Sequence, residues 1–366
     1  MGKQIFESFS FIPTNLMKDL YCRLPFEGYC IDAEGFGLPC CAFQKKDTHK
    51  LPIHENVSVD SDFFRSVQKE ILSERIPDGC FHCYDRENQG MLSHRQKYIE
   101  RRNKKNYKND STLKHLDISF SNTCNLACVM CSNRYSSKWN IINKKFPELT
   151  EITKSKPFES FNLSYAQIDD ILEKSINLQS IVIKGGEPLL DKKCCYFLEN
   201  LSKINPDLDV MIVSNVTAVD ISILKPFKNL KIIASIDGLE DVYRWIRGFD
   251  FTTVDKNIDT LLNNNIQVIV NFTITAYNLH MLQKTHDYFI EKGIHHFGAY
   301  IAKEKYLHFN HLGKTKVEHY ISNLNLSEFI YFPEYTEPSQ KDKGDFAKFT
   351  KIMNLARGFE WQTIQL

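Results

Sequence analysis

The sequence predicts an α/β fold, a partial (β/α)6 TIM-like barrel preceded by a small loop-rich N-terminal domain. The chain has 366 residues, of which 42% are hydrophobic. That is enough apolar material for one large core and a smaller one. Six β-rich runs alternate with helix-like segments, a pattern typical of βα units around a parallel sheet. Six units are too few to close an eight-stranded barrel, which favours an open, partial barrel.

The six predicted strands follow one another between residues 115 and 302. They are the apolar runs at residues 115–121, 180–186, 209–215, 230–238, 266–275 and 295–302. Between them lie amphipathic stretches with helical spacing, among them 165–175, 241–247 and 253–265. In barrels of this kind the chemistry lies at the carboxyl ends of the strands. Polar residues just after each run are therefore the candidate site residues.

Three regions are predicted along the chain. Residues 1–110 form the N-terminal domain and a basic connector, 111–310 form the barrel, and 311–366 form a C-terminal helix and strand extension. The connector begins at Arg95 and reads as a linking helix followed by a loop. With a net charge of +1 for the whole chain, a solvated connector is favoured over a nucleic-acid contact. Nucleic acid is therefore not an expected partner.

The number and clustering of the cysteines indicate a metal site or a catalytic role. The chain has 11 cysteines, an odd number, and nine of them precede residue 132. The start of the sequence lacks the pattern of a secretory signal, and no apolar run is long enough to cross a bilayer. We therefore expect a cytoplasmic protein without a membrane partner, in which disulfides are a poor explanation for clustered thiols.

The most informative cysteines are Cys124, Cys128 and Cys131, just past the end of the first predicted strand. The spacing Cys-x3-Cys-x2-Cys lets three thiolates face one 4Fe–4S cluster, which needs four ligands. No fourth cysteine follows nearby, so one iron would be left open for a small-molecule ligand. A structural zinc site fits the spacing poorly, because it needs a fourth Cys or His.

The stretch CNLACVMC resembles the signature of the radical S-adenosylmethionine (radical SAM) superfamily. That resemblance implies S-adenosylmethionine bound at the open iron and cleaved reductively to a 5′-deoxyadenosyl radical, which abstracts hydrogen from a substrate. An aromatic residue usually precedes the third cysteine and lies near the adenine. Met130 stands there in this chain, a flexible thioether that can fill the same space.

Residues after later strands extend the resemblance. The family has a glycine-rich turn that binds the methionine amino group, and the matching stretch is Gly185, Gly186, Glu187 and Pro188. Polar strand ends are similar to ribose-binding positions, and a basic residue is often found near the cofactor carboxylate. The matching residues are Ser214, Asn215, Ser235, Asp237 and Arg247. Ordinary strand-to-helix capping explains each polar strand end about as well when it is taken singly.

The N-terminal cysteines resemble a second, auxiliary cluster site. The pattern Cys22-x12-Gly35-x4-Cys40, followed by Cys80-x2-Cys83, is similar to SPASM and twitch domains and supplies four thiolates for a fully ligated 4Fe–4S cluster. A four-thiolate zinc site is the alternative. Three other points stay open: whether Cys41 replaces Cys40, what Cys30 does, and whether the pair Cys194 and Cys195 are core thiols, the favoured reading, or hydrogen-atom donors.

The expected function is radical SAM chemistry on a peptide or protein substrate. The first alternative is oxidation, dehydration or epimerisation of a small molecule such as a sugar or an aminoglycoside. A tRNA-modifying enzyme and a zinc-bound interaction protein are the other classes weighed. An external electron donor such as flavodoxin or ferredoxin is the expected protein partner.

Overall fold

The computed structural model describes residues 22–46, 57–105, 112–156, 158, 161–326, 330 and 332–361. Within these ranges, no helix is both long and apolar enough to span a membrane. The start of the chain, on which the expected lack of a secretory signal depends, lies outside them, as do the last five residues.

One sheet of eight strands organises the molecule, in the order β2-β1-β3-β4-β5-β6-β7-β8. The strands are β1 Gly28–Ile31, β2 Gly37–Leu38, β3 His115–Ser119, β4 Ser180–Lys184, β5 Asp209–Ser214, β6 Asn229–Ser235, β7 Gln267–Ile274 and β8 Phe297–Ile301. All pairings are parallel except that of β1 with β2. The six predicted strands are present as β3 to β8. The sheet is nevertheless wider than predicted, because the N-terminal region adds two strands to it.

Fourteen helices lie in the described ranges. They are α1 Leu24–Glu27, α2 Asp62–Leu72, α3 Phe81–Asn88, α4 His94–Lys104, α5 Ser137–Lys145, α6 Leu149–Thr153, α7 Tyr165–Lys174, α8 Lys192–Ile204, α9 Ile221–Leu224, α10 Glu240–Arg247, α11 Phe251–Asn263, α12 Leu282–Glu291, α13 Lys314–Ser322 and α14 Gln340–Arg357. The helical patterns noted in the sequence appear as α7, α10 and α11. The predicted C-terminal helix is α14, whereas the short strand expected after it falls mainly outside the described residues.

The two faces of the sheet have different surroundings. Leu116 and Ile118 of β3 and Ile212 of β5 are fully buried in the main core, together with apolar residues of α7, α8, α11 and α12. Since side chains alternate along a strand, the residues between them point to the opposite face, here called the inner face. On β5, β6 and β7 those inner residues are mostly only half-buried or exposed. The inner face of these strands therefore borders open space.

The N-terminal region is more regular than the predicted loop-rich domain. Residues 22–105 contain α1 to α4 and β1 and β2. A small core that includes Cys30, Val67 and Tyr98 lies on the inner side of β1. Helix α4 continues along this side, since the Tyr98 ring lies 5.5 Å from the His115 ring. The N-terminal region thus covers the part of the inner face that β1 and β3 provide.

Part of the basic connector is buried in the folded protein. Arg95 and Arg102 of α4 are buried and form ion pairs with Glu87 at 2.5 Å and Glu27 at 2.7 Å. Lys105 lies 3.2 Å from Asp209 of β5. The expected solvated connector is wrong for Arg95 and Arg102, which are buried against carboxylates of other elements. Lys97, Lys104 and Lys105 are exposed, as a solvated connector requires.

Candidate functional site

The three cysteines of the motif lie on one irregular loop, residues 120–136, here called the cysteine loop. It leaves the carboxyl end of β3. Cys128 is 8% exposed, and Cys124 and Cys131 are half-buried. Burial raises the pKa of the Cys131 thiol above its ordinary value, and the nearby Cys128 and Cys124 raise it further. The three thiols are therefore close enough to repel one another once ionised.

Hydrogen bonds from the start of α5 fix the shape of this loop. Ser136 Oγ donates to the carbonyl of Leu126 at 2.5 Å, and Trp139 Nε1 donates to the carbonyl of Cys128 at 3.0 Å. The amide of Cys124 donates to Ser137 Oγ at 3.2 Å. Because the Trp139 ring is fully buried, it forms a rigid support beneath the second cysteine.

A buried ion pair faces the second cysteine. Arg247, the last residue of α10, donates from Nη1 to Cys128 Sγ at 3.6 Å and lies 2.5 Å from Asp237 Oδ2 through Nη2. Asp237 Oδ1 in turn accepts from the amide of Thr273 at 2.6 Å. Burial acts to lower the pKa of Arg247, but Asp237 and Cys128 outweigh it, so the guanidinium stays charged. This charge suits an anionic thiolate at position 128.

The glycine-rich turn packs directly on the cysteine loop. The amide of Glu187 donates to the carbonyl of Thr123 at 2.7 Å. Gly186 has a φ of +53°, and a Cβ there would lie 2.3 Å from that same carbonyl oxygen. Only glycine therefore permits this approach. In the structure the glycine serves the contact between two loops of the site.

The Glu187 carboxylate joins the ends of β4 and β5. It accepts from Ser214 Oγ at 2.7 Å and from the amide of Asn215 at 2.6 Å. A third bond comes from the amide of Leu189 at 3.2 Å, in the short 3-10 turn Pro188–Leu190. Burial raises the pKa of Glu187 to about 7. Glu187 and Ser214 thus hold the scaffold together, and in this structure their polar atoms are engaged within the protein.

Asn215 reaches the cysteine loop itself. Its Nδ2 donates to Asn125 Oδ1 at 3.0 Å and lies 3.8 Å from Cys124 Sγ. Asn125 Nδ2 donates to Thr217 Oγ1 at 2.9 Å. Sequence reasoning did not single out Asn125 or Thr217, although the position of Asn125 inside the cysteine motif was an available signal.

Two of the predicted site residues, Ser235 and Met130, lie at the border of the site. Ser235, at the end of β6, is half-buried on the inner face and pairs in register with Asn271 of β7. Met130 is half-buried and packs against the apolar cluster that contains Trp139 and Trp245. Both side chains therefore border the site without a fixed polar role.

Arg357, at the end of α14, was not predicted as part of the site. Its Nη2 donates to the carbonyl of Ala127 at 2.6 Å and its Nε to the carbonyl of Trp245 at 2.7 Å. A further bond of 3.2 Å joins Nη2 to the carbonyl of Ile246. Burial lowers the pKa of Arg357 to about 10. Arg357 therefore ties the C-terminal helix to the cysteine loop and adds a second positive charge beside it.

The residues around the motif fit an anionic iron–sulfur cluster. Three thiols share one loop, and the Arg247 and Arg357 charges lie on the side of Cys128. The Nε of Arg247 and the hydroxyl of Tyr243 are buried without a hydrogen-bond partner among the described residues. In the same ranges, no three His, Cys, Asp or Glu side chains are grouped to hold a single metal ion. In a cluster each thiolate binds a different iron.

The four N-terminal cysteines surround one cavity, here called the four-cysteine cavity. Its walls include Phe43, Tyr84, His94 and Arg95 in addition to Cys22, Cys40, Cys80 and Cys83. Burial raises the pKa of Cys22 to about 12. It also raises the pKa of Cys40, to which Cys41, Cys22, Cys80 and Cys83 add. Four thiols from three separate stretches of chain therefore converge here.

Two glycines and an ion pair lie in the segments that carry the four cysteines. Gly35 has a φ of +83°, and a Cβ there would lie 2.3 Å from the Phe161 ring. A Cβ on Gly79 would lie 2.1 Å from the Phe43 ring. Arg95 pairs with Glu87 at 2.5 Å. The glycine of the Cys-x12-Gly-x4-Cys pattern is thus required by the turn between β1 and β2.

The adjacent cysteines Cys40 and Cys41 point to different places. Cys41 does not line the four-cysteine cavity; its Sγ lies 3.7 Å from His94 Nε2. Cys41 is exposed at the surface, yet the protein atoms packed around its thiol and the nearby Asp117 raise its pKa to about 12. Asp117, on the inner face of β3, is paired with Lys184 of β4 at 2.7 Å. Cys41 therefore belongs to a polar group on the inner face.

The surroundings of Cys30, Cys194 and Cys195 are typical of structural residues. Cys30 is 1% exposed on β1, in register with Asp117. Cys194 on α8 is fully buried in the main core. Cys195 is half-buried, with its Sγ 3.7 Å from the carbonyl of Leu189. All eleven cysteines are free thiols.

One segment of the chain is similar to a known family. Residues 118–289, from β3 to α12, match the sequence model of the Radical SAM superfamily. This segment is therefore similar to the radical SAM superfamily of enzymes. Enzymes of that superfamily use a 4Fe–4S cluster and S-adenosylmethionine as cofactors, in agreement with the donor set of the cysteine loop.

Curated relatives match over part of their length. An uncharacterized protein of Methanocaldococcus jannaschii is 29% identical over 228 residues, 59% of this chain and 69% of that protein. A GTP 3′,8-cyclase of Staphylococcus epidermidis is 28% identical over 198 residues, 50% of this chain and 52% of the enzyme. The chain thus spans about half of the length of that cyclase.

Solved structures show weaker likenesses. The structure of anSMEcpe with bound AdoMet has a TM-score of 0.42 at 17% identity, covering 68% of this chain and 60% of that one. Streptococcus suis SuiB bound to S-adenosylmethionine has a TM-score of 0.41 at 17% identity, covering 67% and 53%.

Proposed function

We propose that this chain cleaves S-adenosylmethionine reductively at an open-site 4Fe–4S cluster held by Cys124, Cys128 and Cys131. The observation that carries the proposal is the single loop with three mutually close thiols and two arginines beside Cys128. When bound, the cluster supplies the electron that converts S-adenosylmethionine to methionine and a 5′-deoxyadenosyl radical. The protein residues hold, orient and shield these groups.

Neighbouring residues divide this work. Arg247 neutralises the thiolate of Cys128 and is itself held by Asp237. Asn215 and Ser235 lie at strand ends on the cofactor side and are proposed to donate hydrogen bonds to the ribose. Met130 is proposed to pack against the adenine. Glu187 acts through Ser214 and Asn215, which it keeps in place.

We propose a second, auxiliary 4Fe–4S cluster in the four-cysteine cavity, bound by Cys22, Cys40, Cys80 and Cys83. Four thiols lining one cavity supply the complete ligand set of such a cluster. This assignment would make the N-terminal region a twitch- or SPASM-like domain. Zinc is the competing occupant, since four thiolates also satisfy tetrahedral zinc.

The proposed substrate is a peptide or protein. One edge of the sheet is β8, whose Tyr300 is 60% exposed. An edge strand can accept an extended peptide through its backbone, and an exposed aromatic side chain adds contact area. The radical would abstract hydrogen from a carbon of that peptide.

A small-molecule substrate is the second candidate. The observation that favours it is the position of the N-terminal region, which covers the inner face at β1 and β3. The open part of the inner face therefore lies over β5 to β7 and does not extend across the whole sheet. The similarity to GTP 3′,8-cyclases over about half of their length agrees with a compact, polar substrate.

The test is anaerobic reconstitution with iron and sulfide, followed by incubation with dithionite and S-adenosylmethionine. We expect 5′-deoxyadenosine from the wild-type chain and none from Cys128→Ala. Cys195→Ala, which changes a half-buried thiol outside the cysteine loop, is the matched control and should retain activity. Unchanged 5′-deoxyadenosine formation by Cys128→Ala would refute the proposal, and zinc without iron in the purified protein would favour an interaction protein.

A further inference from the structure

Val216, which follows Asn215 just after β5, has an unusual backbone conformation. Its φ is +57°, in the left-handed region, and its side chain is fully buried in the main core. A β-branched residue is rarely found there, because its Cβ substituents collide with the backbone. The other four non-glycine residues with positive φ in the described ranges are polar or charged. Val216 is therefore the strained position that most needs an explanation.

Two hydrogen bonds hold the backbone of Val216 in this turn. Its amide donates to Ser214 Oγ at 2.9 Å, within the same strand end. Its carbonyl accepts from Asn257 Nδ2 at 2.8 Å. Asn257 lies on α11, 41 positions further along the chain. Strained backbone persists only where its surroundings impose it, and here a side chain of a neighbouring helix contributes to that constraint.

The turn brings two polar side chains together beside the cysteine loop. Asn215 Oδ1 accepts from the amide of Thr217 at 3.0 Å and from Thr217 Oγ1 at 2.7 Å. Asn125 closes a ring, since its Nδ2 donates to Thr217 Oγ1 at 2.9 Å and its Oδ1 accepts from Asn215 Nδ2 at 3.0 Å. We call Asn125, Asn215 and Thr217 the polar ring. An extended conformation at Val216 would continue β5 and carry Thr217 away from Asn215, so the ring depends on the turn.

The polar ring reaches the first cysteine of the motif. Asn125 is the residue after Cys124, and Asn215 Nδ2 lies 3.8 Å from Cys124 Sγ. Asn125 is exposed, so water can replace its bonds once Thr217 moves away. A change in the turn would therefore be felt at the cysteine loop through Thr217 and Asn215.

From this geometry we infer that Asn257 is a positioning residue for the site at the cysteine loop. Its bond to the Val216 carbonyl keeps the left-handed turn, and the turn keeps the polar ring closed. The inference rests on the proposed function, because the site it serves is the one proposed to bind S-adenosylmethionine. Asn257 acts through the turn and is not proposed to contact the cluster or the cofactor.

Loss of this bond should weaken the binding of S-adenosylmethionine and leave the maximal rate intact. Without the Asn257 side chain, Val216 can relax to an extended conformation, and only the molecules that keep the turn are ready to bind. Saturating S-adenosylmethionine would draw the population back to the turn. The expected signature is a raised KM with kcat maintained.

The first measurement uses the full-length apoprotein and does not depend on a cluster. For Asn257→Ala, the amide of Thr217 should exchange with solvent about tenfold faster, the scale of one lost hydrogen bond. In reconstituted protein with dithionite, the KM for S-adenosylmethionine should also rise about tenfold, with kcat within about twofold of the wild type. Asn263→Ala makes the same change at the exposed last residue of α11 and is the matched control. It should alter neither the exchange rate nor the KM.

Substitutions of Val216 distinguish an effect on the turn from ordinary packing. Val216→Gly and Val216→Ala both remove the buried side chain, but only glycine adopts the left-handed conformation without a penalty. Adding Asn257→Ala to Val216→Gly should therefore change the exchange rate and the KM by less than about twofold. Adding it to Val216→Ala should still change both by about tenfold.

Two results would overturn the inference. One is an Asn257→Ala variant with the exchange rate and KM of the wild type. The other is an equal effect of Asn257→Ala in the glycine and alanine backgrounds, which would mean that the turn is not what Asn257 supports. Absence of 5′-deoxyadenosine in the wild type would instead refute the proposed function, while exchange of the Thr217 amide in the apoprotein would still test the role of Asn257.

Discussion

Arg247 Nη1 lies 3.6 Å from Cys128 Sγ, while Nη2 of the same guanidinium lies 2.5 Å from Asp237 Oδ2. One side chain therefore connects the second cysteine of the motif with the carboxylate that follows β6. Both members of the ion pair are buried, with side-chain exposures of 8% for Arg247 and 0% for Asp237. Removing one partner leaves the other charge without compensation in the protein interior.

Arg247→Gln should destabilise the apoprotein by about 3–5 kcal/mol, the usual cost of breaking a buried ion pair on one side. Urea unfolding at neutral pH measures the change in the free energy of unfolding. The double variant Arg247→Gln with Asp237→Asn removes both charges and should recover most of the loss. A double variant as unstable as the sum of the single variants would show that the pair is not coupled.

Arg357→Ala should loosen the cysteine loop. Three carbonyls, those of Ala127, Trp245 and Ile246, would lose a donor. The amide of Val129, which donates to the Ile246 carbonyl at 3.0 Å, should then exchange with solvent at least tenfold faster, corresponding to about 1.4 kcal/mol or more of lost protection. Hydrogen exchange of the loop is the measurement. Arg244→Ala, a half-exposed arginine on α10, is the control and should leave this amide protected.

Cys40 and Cys41 are expected to differ in iron content. The wild-type chain should hold about eight irons after reconstitution, as two clusters of four. Cys40→Ser removes a thiol that lines the four-cysteine cavity and should lower the content to about four, whereas Cys41→Ser should not change it. Iron analysis together with protein quantification decides the point. A larger loss in Cys41→Ser than in Cys40→Ser would reverse the ligand assignment.

The buried carboxyl of Glu187 should make stability depend on pH. Its pKa rises from an ordinary 4.5 to about 7 because of burial, so the folded state holds a proton that the unfolded state releases. The stability gained is fully present below pH 4.5 and is lost as the pH rises through about 7, in total up to about 3 kcal/mol.

Urea unfolding of the apoprotein between pH 5 and pH 8 tests this dependence. The unfolding free energy of the wild type minus that of Glu187→Gln should be larger at pH 5 than at pH 8. Glutamine does not titrate, so it provides the flat reference. A difference that does not vary with pH would contradict the raised pKa.

Local features of the sequence predicted the parallel strands β3 to β8 and the cysteine loop. Apolar runs between helical segments and the Cys-x3-Cys-x2-Cys spacing are short-range patterns. The connection of β1 to the sheet could not be predicted in this way. Its four residues carry no alternation, being buried on both faces, and its parallel partner β3 lies more than 80 residues further on.

Side-chain contacts between residues far apart in the sequence could not be predicted either. Arg357 and Ala127 are 230 positions apart, and a lone arginine near the end of a helix looks like an ordinary C-terminal charge. The burial of Arg95 and Arg102 was missed for a related reason. Their partners Glu87 and Glu27 are identified only when α4 is placed against the rest of the N-terminal region.

The open iron is the central claim, and electron paramagnetic resonance of the reduced protein tests it most directly. The Cys40→Ser variant simplifies the spectrum by removing the proposed auxiliary cluster. Adding S-adenosylmethionine to this variant should shift the signal of the remaining cluster, because the ligand changes the surroundings of one iron. A spectrum that stays the same with saturating S-adenosylmethionine would contradict the account.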